Sequence, residues 1–482
     1  MNKKEIYKYI DRNIDAHIAN IQDWVRQQSV SWDNLGMGDA WKIVYESYKK
    51  LGCQTVEVIP GKYYPGIFAY YDAGSKYTFH NYCMYDTRTV ENPQEWDFDP
   101  WGGEIKDYAG HRKVLTGRGS MGAKGPYVAF LNSLESIIAV EGKLPFNIIF
   151  LAEGDEILGS PSYKLFVKKY NEYLKKADFS FCPTLSEGSN EEVSIGMGLK
   201  GMIVFDLKIK GSKENNGPSN TVHSSLGSLI NCPAFRLSKA LASMVDEQGN
   251  GCKINGLEEI WKDRKKLTKF ENDKIRLIFE NSKGKDIRDV LPIGTKNYQN
   301  ENLGKQSIFD FLYGPTFNIS GLHSGFLGKE SGMIPFIIPS EATAHLDMRL
   351  VTDTNSDEII QKIRQHLDNH GFHDIEMEIF SSFDYSYSSF DEIFAVVENC
   401  IKESKKIPII WPMQGGGGPW SVVPNEYRVP CYRGGVIGGG SRSSINEYMI
   451  IETEKSTSNL DDVEKFMVNL IDNISNVISK QK

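Results

Sequence analysis

The side chains best suited to bind metal or attack a substrate are few and widely spaced. The 482-residue chain has nine histidines, His17, His80, His111, His223, His323, His345, His366, His370 and His373. Its seven cysteines, Cys53, Cys83, Cys182, Cys232, Cys252, Cys400 and Cys431, are odd in number and never form C-x-x-C, which suits neither a disulfide framework nor a cysteine zinc cluster. The closest histidine spacing, His366, His370 and His373, falls at the end of a predicted helix and reads as structural. His345 and Asp347 read as exposed pairing positions on a strand. Carboxylates, hydroxyls and glycines gather instead in five segments that each follow a predicted strand: 84–101, 117–126, 152–161, 182–189 and 434–447. Loops at strand ends are where open α/β sheets bind ligands.

The elements that must position these loops are readable from periodicity. Ile6, Ile10, Ile14, Ile18, Ile21 and Val25 recur at helical spacing over 4–28, and 38–52 repeats the pattern. The runs QTVEVI, GIFAYY and YTFHNYCMY predict strands. A helix over 124–141 leads into the buried-type strand FNIIFLA, then a helix over 159–175 and the strand DFSFC. That alternation predicts an α/β architecture with a mostly parallel sheet. From about Gly198 the style changes. MIVFDLKIKG and ATAHLDMRLVT alternate like half-solvated antiparallel strands, with helices predicted over 227–246, 270–281 and 355–370. We expect a smaller α+β domain over 199–385 inserted into a catalytic domain made of 1–198 and 386–482.

Composition bounds the function. With 40% hydrophobic, 11% aromatic and 24% charged residues the chain is a globular mixture, long enough for more than one domain. A net charge of −8 without any basic run argues against a nucleic-acid or anionic-membrane partner. The N-terminus lacks an apolar signal region, and no apolar run approaches the ~20 residues of a membrane span. A cytoplasmic setting is expected.

The five loops, in order, resemble those of the two-zinc peptidases and deacylases that include carnosine dipeptidase, acetylornithine deacetylase, succinyl-diaminopimelate desuccinylase and carboxypeptidase G. The resemblance runs over nearly the whole chain. It implies a three-layer catalytic domain and an inserted ferredoxin-like lid that dimerises. It also implies five kinds of zinc-ligand position, and there this chain departs from the family. In the H-x-D motif Met84 stands for the histidine, while Asp86 is kept. In GRGSMGAKG, Gly122 stands for the bridging aspartate. EGDEILGS keeps Glu156 as the general base but has Ile157 at the ligand. Thr184 stands for the ligand aspartate after DFSFC, and Ser443 for the last histidine. Zinc takes imidazole, thiolate or carboxylate, and a catalytic site needs at least three of them. No zinc and no other cofactor is therefore expected at these positions.

What the resemblance leaves is a polar site: Glu156 as the base for proton transfer, Asp86 as a further catalytic residue beside it, His223 from the partner subunit of a homodimer for an oxyanion, and Arg349 and Asn318 for the substrate's carboxylate and carbonyl. Lys124, Arg442 and Ser443 are expected nearby, with Gly416 and Gly417 of QGGGGPW beside the substrate. These residues point to a hydrolase, or a related lyase, acting on the C–N bond of a small amino-acid-derived carboxylate without metal. Two other readings stay open: a catalytically dead binding or scaffold homologue, and a metallopeptidase whose site has moved to some of His80, Asp86, Asp155 and Glu156.

Overall fold

The computed structural model describes residues 1–183, 187–188, 191–247, 251–259, 266–282, 304–326, 336–351, 355–388 and 391–480. Among them an eight-stranded sheet organises the chain. Its order in space is Thr55–Ile59, Gly66–Tyr71, Asn147–Glu153, Thr78–Met84, Phe179–Pro183, Cys431–Gly434, Glu192–Gly196 and Ile407–Trp411. The four strands from Asn147–Glu153 to Cys431–Gly434 are mutually parallel, so their C-terminal ends open on one edge. The first two strands join antiparallel.

All seven residues of Asn147–Glu153 are buried, as a central strand covered on both faces requires. Helices Lys3–Arg26, Lys124–Glu141 and Leu460–Lys480 cover one face. Tyr163–Lys169 and Val422–Tyr427 cover the other, through Tyr163, Phe166, Val422 and Val423. Lys124–Glu141 is buried almost all round, which is why its sequence shows no polar stripe. The expected three layers are present.

The second unit is a four-stranded antiparallel sheet in the order Thr316–Ser324, Glu341–Leu350, Gly201–Lys210, Glu376–Phe383. With helices Pro233–Ser243 and Ser356–Asn369 packed against it, the chain order is β-α-β-β-α-β, the ferredoxin-like arrangement. Ala342, Ala344, Leu346, Met348 and Leu350 alternate into its core and leave Thr343, His345, Asp347 and Arg349 on the other face.

Three expectations need correction. The helix predicted over 227–246 starts at Pro233, which suits a first helical turn, and is preceded by a 3-10 turn over Ser224–Ser228. The helix predicted over 159–175 divides into Tyr163–Lys169 and Asn171–Leu174. Helix Lys269–Asn281, expected within the lid, packs with Gly304–Tyr313 on the edge strand Ile407–Trp411, where Ile275, Ile278, Ile308 and Leu312 meet Ile409 and Met413.

The turn after strand Asn147–Glu153 sets the site's floor. A Cβ at Gly154 would lie 2.2 Å from the Tyr85 ring, whose hydroxyl donates to the Pro65 carbonyl at 2.6 Å. Replacing Gly154 by Ala is predicted to destabilise the fold by about 1–3 kcal/mol, the usual cost of overpacking. Denaturant unfolding checks this; an unchanged midpoint would show that Tyr85 yields freely.

Candidate functional site

Buried ionisable groups position the loops at the open sheet edge. Asp86, fully buried, accepts from the Ser31 hydroxyl at 2.7 Å and from the Glu156 and Ile157 N–H groups at 3.3 and 2.9 Å. Glu447, also fully buried, gathers the turn of the GRGSMG segment. Its carboxylate accepts from the Gly119, Met121 and Gly122 N–H groups at 3.2, 2.9 and 2.7 Å and from the Arg118 guanidinium at 2.8 Å. Lys124 donates to the carbonyls of Trp24 and Gln27 at 2.9 and 2.5 Å, satisfying the C-terminal end of the first helix.

The loops enclose a cavity of ≈ 260 Å³. Met84, Gly122, Glu156, Ile157, Arg442 and Ser443 all line it, joined by Arg88, Arg433, Cys83, Cys182 and Trp420. Four positions that the resemblance gives to metal ligands thus converge around Glu156; Thr184 lies outside the described residues. Asp86 and Lys124 do not line the cavity, which corrects their expected places there: Lys124 is spent on backbone carbonyls, and Asp86 on the Ser31 hydroxyl and the backbone of the Glu156 loop. Gly417 is fixed by packing, since a Cβ there would sit 2.2 Å from the Lys200 carbonyl oxygen, whereas Gly416 faces open space. Asn318 and His223 lie exposed on the lid, bonded to Asp347 at 2.9 Å and Ser225 at 2.8 Å. Arg349 lies near Asp347, at 3.6 Å, close enough to the cavity to act on the Glu156 charge.

Sequence reasoning missed Arg88, Arg433 and Glu447. Arg433 stacks on Trp420, 4.2 Å from the ring centre, and bonds to Gln414, yet its buried Nε has no partner. Its sequence signal was the strand CYRG ending at the site edge. Burial raises Glu156 above the ordinary carboxylate range, and Arg433, then Arg442, Arg88 and Arg349, oppose that rise. Arg442 stands open within the cleft but is walled by protein; this desolvation, followed by the nearby Arg433 charge, lowers it. Burial, then the Glu156 charge, pushes Asp86 up to about 8. Burial pushes Lys124 down to about 7.

None of the nine histidines lines this cavity. His80 is fully buried beside Ser180, and burial pushes it down to about 3. His366 bonds Ser243 and stacks on His370, the structural reading expected of that run. His345 pairs with Asp206 at 2.5 Å.

Comparison with known proteins agrees with this geometry. Residues 197–375 match the family model described as a peptidase dimerisation domain. The human Beta-Ala-His dipeptidase is 23% identical over 394 residues, covering 76% of this chain and 71% of its own. The Cys-Gly metallodipeptidase DUG1 of Saccharomyces cerevisiae is 23% identical over 305 residues, 61% of this chain and 57% of its own. In three dimensions the chain resembles the M20 family metallo-carboxypeptidase Sso-CP2 of Sulfolobus solfataricus (TM-score 0.75, 22% identity, 94% of this chain and 99% of that one). It likewise resembles Dug1p of Saccharomyces cerevisiae (TM-score 0.77, 19% identity, 98% and 99%). The fold and site define a peptidase-type hydrolase architecture. Residues 197–375 carry a peptidase dimerisation domain, and beyond it the chain is similar to dipeptidases and shares the fold of M20 peptidases.

A zinc pair does not fit the side chains present. Among the described residues no group of three or more His, Cys, Asp or Glu is arranged to hold a metal ion. A Cβ at Gly122, where a bridging carboxylate would start, would lie 2.9 Å from the Ser443 Oγ and 3.2 Å from the Arg442 Cγ. The Arg442 side chain takes the space such a carboxylate would enter.

The buried Asp86 gives a pH signature. Its folded value of about 8 lies above the ordinary 3.8, so the folded state holds the proton more tightly and stability declines as pH rises through that window. Asp86→Asn is therefore predicted to flatten the loss of stability between pH 5 and pH 8, measured as the denaturant midpoint. Equal slopes in variant and wild type would contradict the assignment.

Proposed function

We propose that this protein hydrolyses an amide-type C–N bond in a small amino-acid-derived carboxylate, with Glu156 as general base and without the zinc pair of its relatives. The observation that carries the reading is the single cavity in which Glu156 meets Met84, Gly122, Ile157 and Ser443 together with three arginines. Glu156 takes a proton from water as the oxygen attacks the carbonyl carbon. The C=O π pair moves onto oxygen, and the guanidiniums of Arg433 and Arg442 stabilise that oxyanion. Collapse breaks the C–N bond, and Glu156 returns the proton to the leaving nitrogen. A raised carboxylate is suited to this exchange near neutral pH. Fixed guanidiniums in a crowded cleft act as preorganised positive charge, the role that a metal ion fills in the family.

The lid completes the site in this reading. His223 reaches the oxyanion of a second copy, and Arg349 with Asn318 orients the substrate's carboxylate, Arg349 pairing bidentately. Exposed Leu226, Leu229, Phe235 and Phe336 on the dimerisation domain support a homodimer formed through it. Two names among the relatives, Beta-Ala-His dipeptidase and Cys-Gly metallodipeptidase, favour a dipeptide as substrate.

Turnover is to be measured on a panel of dipeptides and N-acyl amino acids with and without a chelator. The expected outcome is activity that persists with chelator and falls about 10²-fold or more in Glu156→Gln. Activity lost to chelator and restored by zinc would contradict the metal-free reading. Activity untouched by the substitution would remove Glu156 as the base, and absence of turnover on every substrate would favour a binding homologue.

A further inference from the structure

The charges lining the cavity do not balance. Arg88, Arg433 and Arg442 bring three positive charges and Glu156 one negative, a surplus of two. The nearby carboxylates do not make up the difference. Glu447 is paired with Arg118 and bound by three N–H groups, and Asp86 faces Ser31 and the backbone of the Glu156 loop. Neither Arg88 nor Arg442 has a hydrogen bond or ion pair with a described residue, although both extend into the cleft. Arg433 is held in place by Trp420 and Gln414 while its buried Nε remains unpartnered. A buried N–H donor without an acceptor at the wall of a cavity carries a cost of about 1–3 kcal/mol that a ligand or a small rearrangement around one relieves. Three converging guanidiniums suit planar or tetrahedral oxyanions, whose oxygens they meet in pairs.

We infer that Arg88, Arg433 and Arg442 form a binding site for a small dianion, either a phosphate-bearing group or a dicarboxylate. The inference deepens the hydrolase reading and, for its place in catalysis, rests on it. The oxyanion of the reaction supplies one negative charge and only in transit, so a permanent acid group must offset the rest. The substrate class is thus an amino-acid derivative with an acid group of its own beside the scissile bond. The cavity, at ≈ 260 Å³, falls below the ~300–1,000 Å³ of pockets for drug-sized ligands and selects a compact one. Glu156 opposes the anion's charge, which keeps binding reversible.

Binding is to be followed by calorimetry on the full-length protein with inorganic phosphate and, separately, succinate. At least one is expected to bind, and its affinity to fall tenfold or more in Arg88→Gln and in Arg442→Gln. Both side chains are exposed and unbonded, so these variants keep the fold. Arg112→Gln, a surface change on a different strand, is expected to bind as wild type does. Glu156→Gln is expected to bind the anion several-fold more tightly even as it loses turnover. This separates the two ideas: a base assignment that fails leaves the binding results standing, and the reverse also holds. Phosphate binding alone assigns the phosphate-bearing class, and succinate binding alone the dicarboxylate. Failure of both anions to bind, or affinity unchanged in the Arg88 and Arg442 variants, overturns the inference.

Discussion

A carboxylate among guanidiniums is the interaction on which this molecule's chemistry turns. Glu156 is desolvated at the open ends of parallel strands, and four arginines act on its charge. Desolvation alone would hold a proton on it; the guanidiniums alone would strip that proton off. Their opposition leaves Glu156 raised but still responsive, the condition a general base needs. In the proposed reaction the positive charge comes from guanidiniums, which cannot be removed by a chelator and are not deprotonated near neutral pH.

The surrounding structure exists to hold that opposition still. Asp86 fastens the N–H groups of Glu156 and Ile157, so it fixes the base by its backbone. Glu447 fastens Gly119, Met121 and Gly122, and thereby the wall against which Arg442 lies. Lys124 ties the start of its helix to the first helix of the chain. Each is a buried ionisable group satisfied by several partners, the condition under which burial is tolerated.

Much of this was legible in the sequence. The uniform burial of Asn147–Glu153 and the alternation of Glu341–Leu350 follow from their side chains, and the two larger units of the architecture were predictable from such runs. Met84, Gly122, Ile157 and Ser443 line one cavity because their motifs are spaced along loops that one sheet edge collects. Strands Thr316–Ser324 and Glu376–Phe383 were not foreseen, because edge strands half open to water carry weak apolar patterns. Asp86 and Lys124 were placed at the chemistry because residue type does not reveal whether a charge serves a substrate or a backbone. Arg433 was overlooked for a similar reason: only the pairing of Cys431–Gly434 with Phe179–Pro183 brings it beside Glu156's loop.

The central claim is that guanidiniums occupy the place of the zinc pair. Its most direct test is the metal content of the purified protein after equilibration with zinc and dialysis, measured by elemental mass spectrometry. The account predicts well below one zinc per chain. A content approaching two zinc ions per chain would contradict it.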